Sequence, residues 1–174
     1  MGGAPSPITR AVQPSPNGSG LVYVGMSADL MHCGHANILG IARSLGRVVV
    51  GLLTDEAIAS YKRTTIVKWR DRSVLVQAFK GVELVVPQNT LDYCPNLEWL
   101  KPAFVVHGND WSSPTSAQYK TRNEVKACLA QWGGILIEPP YTDGISTTDI
   151  IERAHDAATM KSSAKAKTEA EASS

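Results

Sequence analysis

The sequence lacks long apolar segments and has no excess of either charge. No apolar run approaches the ~20 residues that a membrane-spanning helix needs, and the formal net charge of the 174 residues is +1 at pH 7. Such a balance gives no general attraction to nucleic acid or to a membrane surface. We therefore expect neither of these as a partner.

Cysteine is also scarce. Cys33, Cys94 and Cys128 are the three cysteines of the chain; they lie far apart and form no CxxC pair. An odd, sparse set is typical of a protein in a reducing cytoplasm and not of a disulfide scaffold. The first twenty residues contain no apolar core like that of a signal peptide. We therefore expect a cytoplasmic protein.

Composition divides the chain into three parts. Residues 1–20 are rich in proline and glycine and indicate a flexible leader. Residues 159–174 consist of Ala, Lys, Glu, Ser, Thr and Met and indicate a flexible linker or tail. The folded domain is then predicted to span residues 21–158, a length that fits a single hydrophobic core.

Within this domain, short apolar runs alternate with segments of helical length. Strands are predicted at 21–24, 48–53, 83–86, 104–107 and 135–137, and helices at 34–45, 55–61, 70–80, 96–100, 124–132 and 148–158. This pattern predicts an α/β, Rossmann-like, doubly wound parallel five-stranded sheet with helices on both faces. Ligands of such sheets bind beyond the carboxyl ends of the strands, where four polar loops emerge, at 26–33, 54–69, 108–115 and 139–147.

Two histidines stand out in the first of these loops. His32 and His35 flank Gly34 at the predicted N-terminus of the first helix, after a buried strand. A helix N-terminus offers free N–H groups and partial positive charge to a phosphate, and histidines there can donate to phosphate oxygens. Two alternatives stay open: a capping histidine beside a core histidine, or a zinc site that uses His32, Cys33, His35 and Cys94.

A family resemblance rests on two segments. The segment from Asp29 to His35, DLMHCGH, is similar to the DxxHxGH signature of the nucleotidyltransferase superfamily that includes the glycerol-phosphate, choline-phosphate and ethanolamine-phosphate cytidylyltransferases. The segment from Gly144 to Thr148, GISTT, resembles the second signature of that family, although alone it would be only a helix cap. The resemblance spans residues 21–151 and implies transfer of CMP from CTP with release of pyrophosphate.

The resemblance also implies site residues. His32, His35 and Lys62 would be catalytic, with Lys62 on a mobile loop that reaches the α-phosphate. Nucleotide contacts would come from Gly25, Met26, Ser27, Ala28, Gly34, Arg72, Asp110, Trp111, Ser146, Thr147 and Thr148. Taken alone, Lys62 could be a solvated lysine, Asp110 a helix cap and Arg72 an exposed helix charge. Three positions depart from the family pattern: Lys80 and Tyr141 each replace an arginine, and Gly81 replaces a tyrosine.

The finer pattern resembles the cytidylyltransferases tied to phosphoenolpyruvate mutases in phosphonate antibiotic biosynthesis, fosfomycin biosynthesis among them. This implies a phosphonate acceptor, 2-hydroxyethylphosphonate above all, with 2-aminoethylphosphonate as the alternative. Tyr93, Lys120, Arg122 and Tyr141 are candidates for the acceptor pocket. A fused mutase domain and a homodimer are expected by analogy. The rival enzyme is an adenylyltransferase of the same fold, and the rival from another class is a non-catalytic nucleotide-binding domain.

Magnesium is the expected cofactor, because the four negative charges of the triphosphate must be neutralised. The sequence does not identify its protein ligand. Asp29 or Asp110, acting through water, are the candidates.

Overall fold

The computed structural model describes residues 20–172. Its centre is a five-stranded, all-parallel sheet in the order β3-β2-β1-β4-β5, which confirms the predicted fold class. The strands are β1 (Leu21–Met26), β2 (Arg47–Leu53), β3 (Val82–Gln88), β4 (Phe104–Val106) and β5 (Ile135–Ile137). The helices are α1 (Cys33–Leu45), α2 (Asp55–Ala59), α3 (Trp69–Gln77), α4 (Cys94–Leu100), α5 (Tyr119–Ala130) and α6 (Thr147–Ala172), with a short 3-10 helix at Asn109–Trp111.

The core lies on both faces of the sheet. All six residues of β1 are buried; Leu21 and Tyr23 pack into one apolar cluster, and Val22 and Val24 pack into the other. This explains why the strand is a continuous apolar run and not an alternating one. Because the strand order reverses at β1, the loops after β1 and β4 diverge and leave a crevice at the carboxyl edge of the sheet.

Element boundaries differ from the predictions at two places in the core. Gly25 was predicted to end the first strand, but it pairs with Gly51 and the strand continues to Met26. Helix α5 begins at Tyr119, five residues before the predicted start. Its first turns are polar and carry no apolar periodicity from which a helix could be predicted.

The largest difference is at the C-terminal end. Where a flexible linker or tail was predicted from residue 159, α6 runs from Thr147 without a break to Ala172, so residues 159–172 are helical. Ala, Lys and Glu dominate this segment and have high helix propensity, which outweighs their lack of an apolar face. The expected leader lies outside the described residues, except for Gly20. Within residues 20–172 no helix is long and apolar enough to cross a membrane.

Candidate active site

One open cavity lies at the carboxyl edge of the sheet, where the loops after the strands meet. All four of the polar loops singled out in the sequence contribute to it, together with the loop after β3 and the start of α5. Residues that line it include Gly25, Met26, Ser27, His32, Gly34, His35, Leu53, Tyr61, Lys62, Gln88, Leu91, Tyr93, His107, Gly108, Asp110, Gln118, Thr121, Tyr141, Thr142, Ser146 and Thr147.

The two histidine side chains cap helix α1 by accepting from backbone N–H groups of its first turn. His32 is the N-cap residue, and its Nδ1 accepts from the Gly34 N–H at 3.2 Å, while Nδ1 of His35 accepts from the His32 N–H at 3.4 Å. The two rings lie 4.1 Å apart between centroids. Because each Nδ1 uses its lone pair as an acceptor, the proton of each neutral ring must be on Nε2. The capping alternative is therefore correct for His32, and it leaves both Nε2–H groups free to donate.

Both rings are neutral at physiological pH. Burial, together with the smaller effect of the neighbouring His32, lowers the pKa of His35 to about 4. Burial also lowers the pKa of His32, partly offset by the negative charge of Asp149. The pair therefore presents two neutral N–H donors, and no fixed charge, to a ligand in the cavity.

A second helix N-terminus faces the same cavity. The Ser146 hydroxyl accepts from the Asp149 N–H at 3.1 Å, and the Ser146 carbonyl accepts from the Ile150 N–H at 3.1 Å, so Ser146 caps α6. Asn37 on α1 donates to the Thr142 hydroxyl at 3.1 Å and so links α1 to the loop before α6. Two helix N-termini at one cavity provide several N–H donors and partial positive charge for a polyphosphate.

Lys62 is carried on the loop between α2 and α3, which Asp29 anchors. The Asp29 carboxylate is 3% exposed, accepts from the N–H groups of Ile66 and Val67 at 2.9 Å each, and pairs with Arg63 at 2.6 Å. Burial alone would raise the pKa of Asp29, but these donors outweigh it and the pKa is lowered. Asp29 therefore fixes the far side of the loop while Lys62 itself stays exposed at the cavity.

Replacement of Asp29 by Asn is expected to loosen this loop. The amide places an NH₂ group among donors, so at least one buried donor loses its partner, which costs about 1–3 kcal/mol. We expect the free energy of unfolding, measured by urea denaturation, to fall by that amount and amide exchange at Ile66 and Val67 to become faster. Asp71→Asn, at an exposed position on α3, is the control. Unchanged exchange in Asp29→Asn would contradict this role.

His107 and Trp111 form a stacked pair at the end of β4. Their ring centroids are 3.7 Å apart with 17° between the planes, and Trp111 donates to Glu138 at 2.8 Å. Nδ1 of His107 donates to the Gly108 carbonyl at 2.8 Å, so in the neutral ring Nε2 keeps a lone pair for the cavity. Only its place at the end of a predicted strand could have indicated His107.

Several residues with a predicted nucleotide contact do not line the cavity. Arg72 is fully buried, and its guanidinium donates to the carbonyls of Ser27 and Val67 and to Asp55. Arg72 supports the loop after β1 and does not reach the cavity. It is therefore neither in position to bind a phosphate nor an exposed charge on the helix. Ala28 is buried in that loop at a left-handed φ of 47°.

Trp111, Thr148, Lys120 and Arg122 are also placed away from the cavity. Trp111 is 1% exposed behind His107, and Thr148 is exposed on α6 outside the cavity lining. The Lys120 side chain is 88% exposed and 3.6 Å from Glu124. Arg122 forms two hydrogen bonds with Glu138, at 2.6 and 2.7 Å. The structure does not support the predicted acceptor contacts of Lys120 and Arg122, because both face away from the pocket.

The remaining predicted site residues do line the cavity. Tyr93 and Tyr141 are on opposite sides of it, after β3 and β5 respectively. Sequence reasoning missed Gln88, Leu91 and the start of α5. Gln88 is the last residue of β3, and its position beyond a buried strand is the only signal that could have identified it.

The described part of the chain holds no cluster of metal-ligating side chains. Within residues 20–172 no three His, Cys, Asp or Glu side chains converge in a way that could hold an ion, so the zinc alternative has no support there. Asp29 already receives donors from Ile66, Val67 and Arg63 and does not line the cavity. Of the two candidates for magnesium, this leaves Asp110, whose side chain is 45% exposed and lines the cavity.

Comparisons with known proteins agree with this geometry. The family model described as cytidylyltransferase-like matches residues 23–153. The ethanolamine-phosphate cytidylyltransferase of Mus musculus is 38% identical over 129 residues, 72% of this chain and 30% of that protein. The bifunctional protein HldE of Magnetococcus marinus is 31% identical over 140 residues, 78% of this chain and 27% of that protein. The chain thus spans about a third of the length of the curated relatives it matches.

Among solved structures, the lipopolysaccharide core biosynthesis protein of Thermoplasma volcanium superposes with a TM-score of 0.56. The match covers 70% of this chain and 95% of that chain at 18% sequence identity. A likeness at this level of identity concerns the fold alone.

Proposed function

This chain belongs to the cytidylyltransferase-like family, and on that premise we propose that it transfers CMP from CTP to a small phosphonate and releases pyrophosphate. The observation that carries the proposal is the meeting of three features at one cavity: the Nε2–H groups of His32 and His35, the ammonium of Lys62, and the N-terminus of α6 at Ser146 and Thr147. This set of donors is suited to a polyphosphate such as a nucleoside triphosphate.

The cavity divides at β1 into two halves. Gly108, Asp110, Tyr141, Ser146 and Thr147 follow β4 and β5 along the chain, and we call them the β4/β5 half. Leu53, Gln88, Leu91 and Tyr93 end or follow β2 and β3, and with Gly25 of β1 at its border we call them the β2/β3 half. The proposal places CTP in the β4/β5 half, with cytosine at Asp110 and the β and γ phosphates at Ser146 and Thr147. The acceptor then occupies the β2/β3 half, and the histidines and Lys62 lie at the boundary.

The proposed reaction is an in-line displacement. An acceptor oxygen, already ionised at neutral pH, forms a bond to the α-phosphorus while the bond to the β-phosphate oxygen breaks, so no general base is needed. His32 and His35 donate to the α-phosphoryl oxygens as charge develops, and Lys62 holds the acceptor and the α-phosphate together. Within the described residues Lys62 is the only Lys or Arg that lines the cavity.

Magnesium is proposed as the counter-ion of the triphosphate. A bound Mg²⁺ neutralises charge on the phosphate chain and makes pyrophosphate a better leaving group. Since the proposal places cytosine at Asp110, the only carboxylate that lines the cavity among the described residues, the ion would be held by phosphate oxygens and water. Dimerisation and fusion to a mutase domain stay predictions by analogy.

A comparison of three acceptors tests this proposal. Pyrophosphate release from CTP is measured with 2-hydroxyethylphosphonate, 2-aminoethylphosphonate and ethanolamine phosphate, each at several concentrations. We expect the highest kcat/KM with 2-hydroxyethylphosphonate. Ethanolamine phosphate is the second candidate, because relatives named ethanolamine-phosphate cytidylyltransferase share up to 38% identity with this chain. A clear preference for it would contradict the phosphonate assignment.

A further inference from the structure

The side chain of Gln88 is buried and still lines the β2/β3 half of the cavity. It is 2% exposed, it lies opposite Leu53 in the β2–β3 register, and the family resemblance assigns it no role. A buried amide at a cavity wall offers a ligand either a donor or an acceptor, depending on which of its two ends faces the space.

Two independent contacts determine how the amide is oriented. Asn96 must direct its NH₂ group at the Pro87 carbonyl, at 3.0 Å, and the same nitrogen donates to the Tyr23 hydroxyl at 3.0 Å. The single Tyr23 proton is therefore free for Gln88, whose Oε1 is 2.8 Å away. Burial raises the pKa of Tyr23, so the hydroxyl keeps that proton.

The second contact agrees with the first. Nε2 of Gln88 lies 3.1 Å from the Thr90 carbonyl, an acceptor that only an NH₂ group can satisfy. Gly51 makes this arrangement possible, because a Cβ there would be 1.7 Å from the Tyr23 oxygen and 2.9 Å from Oε1 of Gln88. The side-chain oxygen of Gln88 thus accepts from the Tyr23 hydroxyl. Of the two N–H groups of the Gln88 amide, one bonds to Thr90 and the other is left for the cavity.

The β2/β3 half around this N–H holds no acidic side chain among the described residues. Gly25, Leu53, Leu91 and Tyr93 complete the β2/β3 half, and none of them is acidic. A side chain at position 25 is excluded, since a Cβ would lie 2.4 Å from the Tyr93 ring. Burial raises the pKa of Tyr93, so its hydroxyl stays neutral. Asp110, on the other side of β1, is the only carboxylate that lines the cavity among the described residues.

We infer that Gln88 is a specificity-determining residue that donates a hydrogen bond to a neutral oxygen at the far end of the acceptor and disfavours an ammonium group there. A hydroxyl oxygen can accept this bond, whereas an ammonium group has only donors and would face another donor. The inference rests on the proposed function, and it names the substrate class of the same site.

The test compares kcat/KM for 2-hydroxyethylphosphonate and 2-aminoethylphosphonate in four proteins: wild type, Gln88→Met, Gln88→Glu and Tyr23→Phe. Wild type is expected to favour the hydroxyl acceptor. Gln88→Met should lower kcat/KM for it about tenfold, and Gln88→Glu should shift the ratio toward the amino acceptor by about tenfold or more. Tyr23→Phe, which releases the amide to rotate, should shift the ratio in the same direction by a few-fold.

Thermal unfolding and the Kd for CTP serve as controls, because a merely structural role would change these and leave the acceptor ratio alone. If the Glu variant does not fold, the Met and Phe variants still decide the outcome. A wild type that favours the amino acceptor, or a ratio unchanged in every folded variant, overturns this inference alone. A wild type that releases no pyrophosphate with any acceptor overturns the proposed function and this inference with it.

Discussion

Replacement of His35 by Asn is expected to lower kcat for pyrophosphate release by about 100- to 1,000-fold, the usual cost of one donor lost from a transition-state site. The Asn side-chain oxygen can take the place of Nδ1 and accept from the His32 N–H, so the cap of α1 is kept. The variant has no group at the position of Nε2. Steady-state kinetics with CTP and 2-hydroxyethylphosphonate measures the effect, and thermal unfolding checks the fold.

The matched control is His35→Gln. Its amide nitrogen reaches the position of Nε2 and restores a donor, but it gives up the cap. We expect Gln to retain more of kcat than Asn and to unfold at a lower temperature than Asn. The opposite order in kcat would show that the histidine matters for the cap and not for transfer. Near-normal kcat in both variants would remove His35 from the chemistry.

Replacement of Lys62 by Met is expected to have a similarly large effect. It keeps the length and the apolar stem of the side chain but removes the only Lys or Arg charge on the cavity among the described residues. We expect kcat/KM for the acceptor to fall by about 1,000-fold, since a cation on a transferring phosphoryl group contributes this much or more. The Kd for CTP should change far less, because the helix N-termini hold the triphosphate.

Lys120→Met is the matched control for the loss of one positive charge. Lys120 lies outside the cavity, with its side chain 88% exposed, and we expect kcat/KM within about twofold of wild type. Equal losses in the two lysine variants would point to a general electrostatic effect. A Lys62→Met enzyme with near-normal kcat/KM would contradict the proposed placement of the acceptor.

The sheet and the phosphate-binding end of the site could be predicted because local sequence encodes them. Continuous apolar runs such as Val48–Val50 are buried on both faces of a parallel sheet. The position of His32 and His35 just after the first strand fixes them at the edge where ligands bind. Each feature needs only neighbouring residues to form, so periodicity and spacing were enough.

The other half of the site depends on long-range contacts that spacing does not reveal. Arg72 and Arg122 have the residue type of a phosphate ligand, yet Asp55 and Glu138 take up their donors. Nothing local distinguishes Gln88 from other strand residues, because the orientation of its amide is set by Tyr23, 65 positions away. The extension of the C-terminal helix beyond residue 158 was missed for a different reason: helix propensity alone accounts for it, and apolar periodicity has no part in it.

The most direct test of CMP transfer at this cavity is ³¹P NMR of the wild-type protein with CTP, Mg²⁺ and 2-hydroxyethylphosphonate. We predict equal amounts of pyrophosphate and of a product whose phosphonate and phosphate resonances are mutually coupled, as in an anhydride. We also predict no such product when ATP replaces CTP. If CTP gives no pyrophosphate with this acceptor, with 2-aminoethylphosphonate or with ethanolamine phosphate, or if ATP serves equally well, then the assignment as a cytidylyltransferase is contradicted.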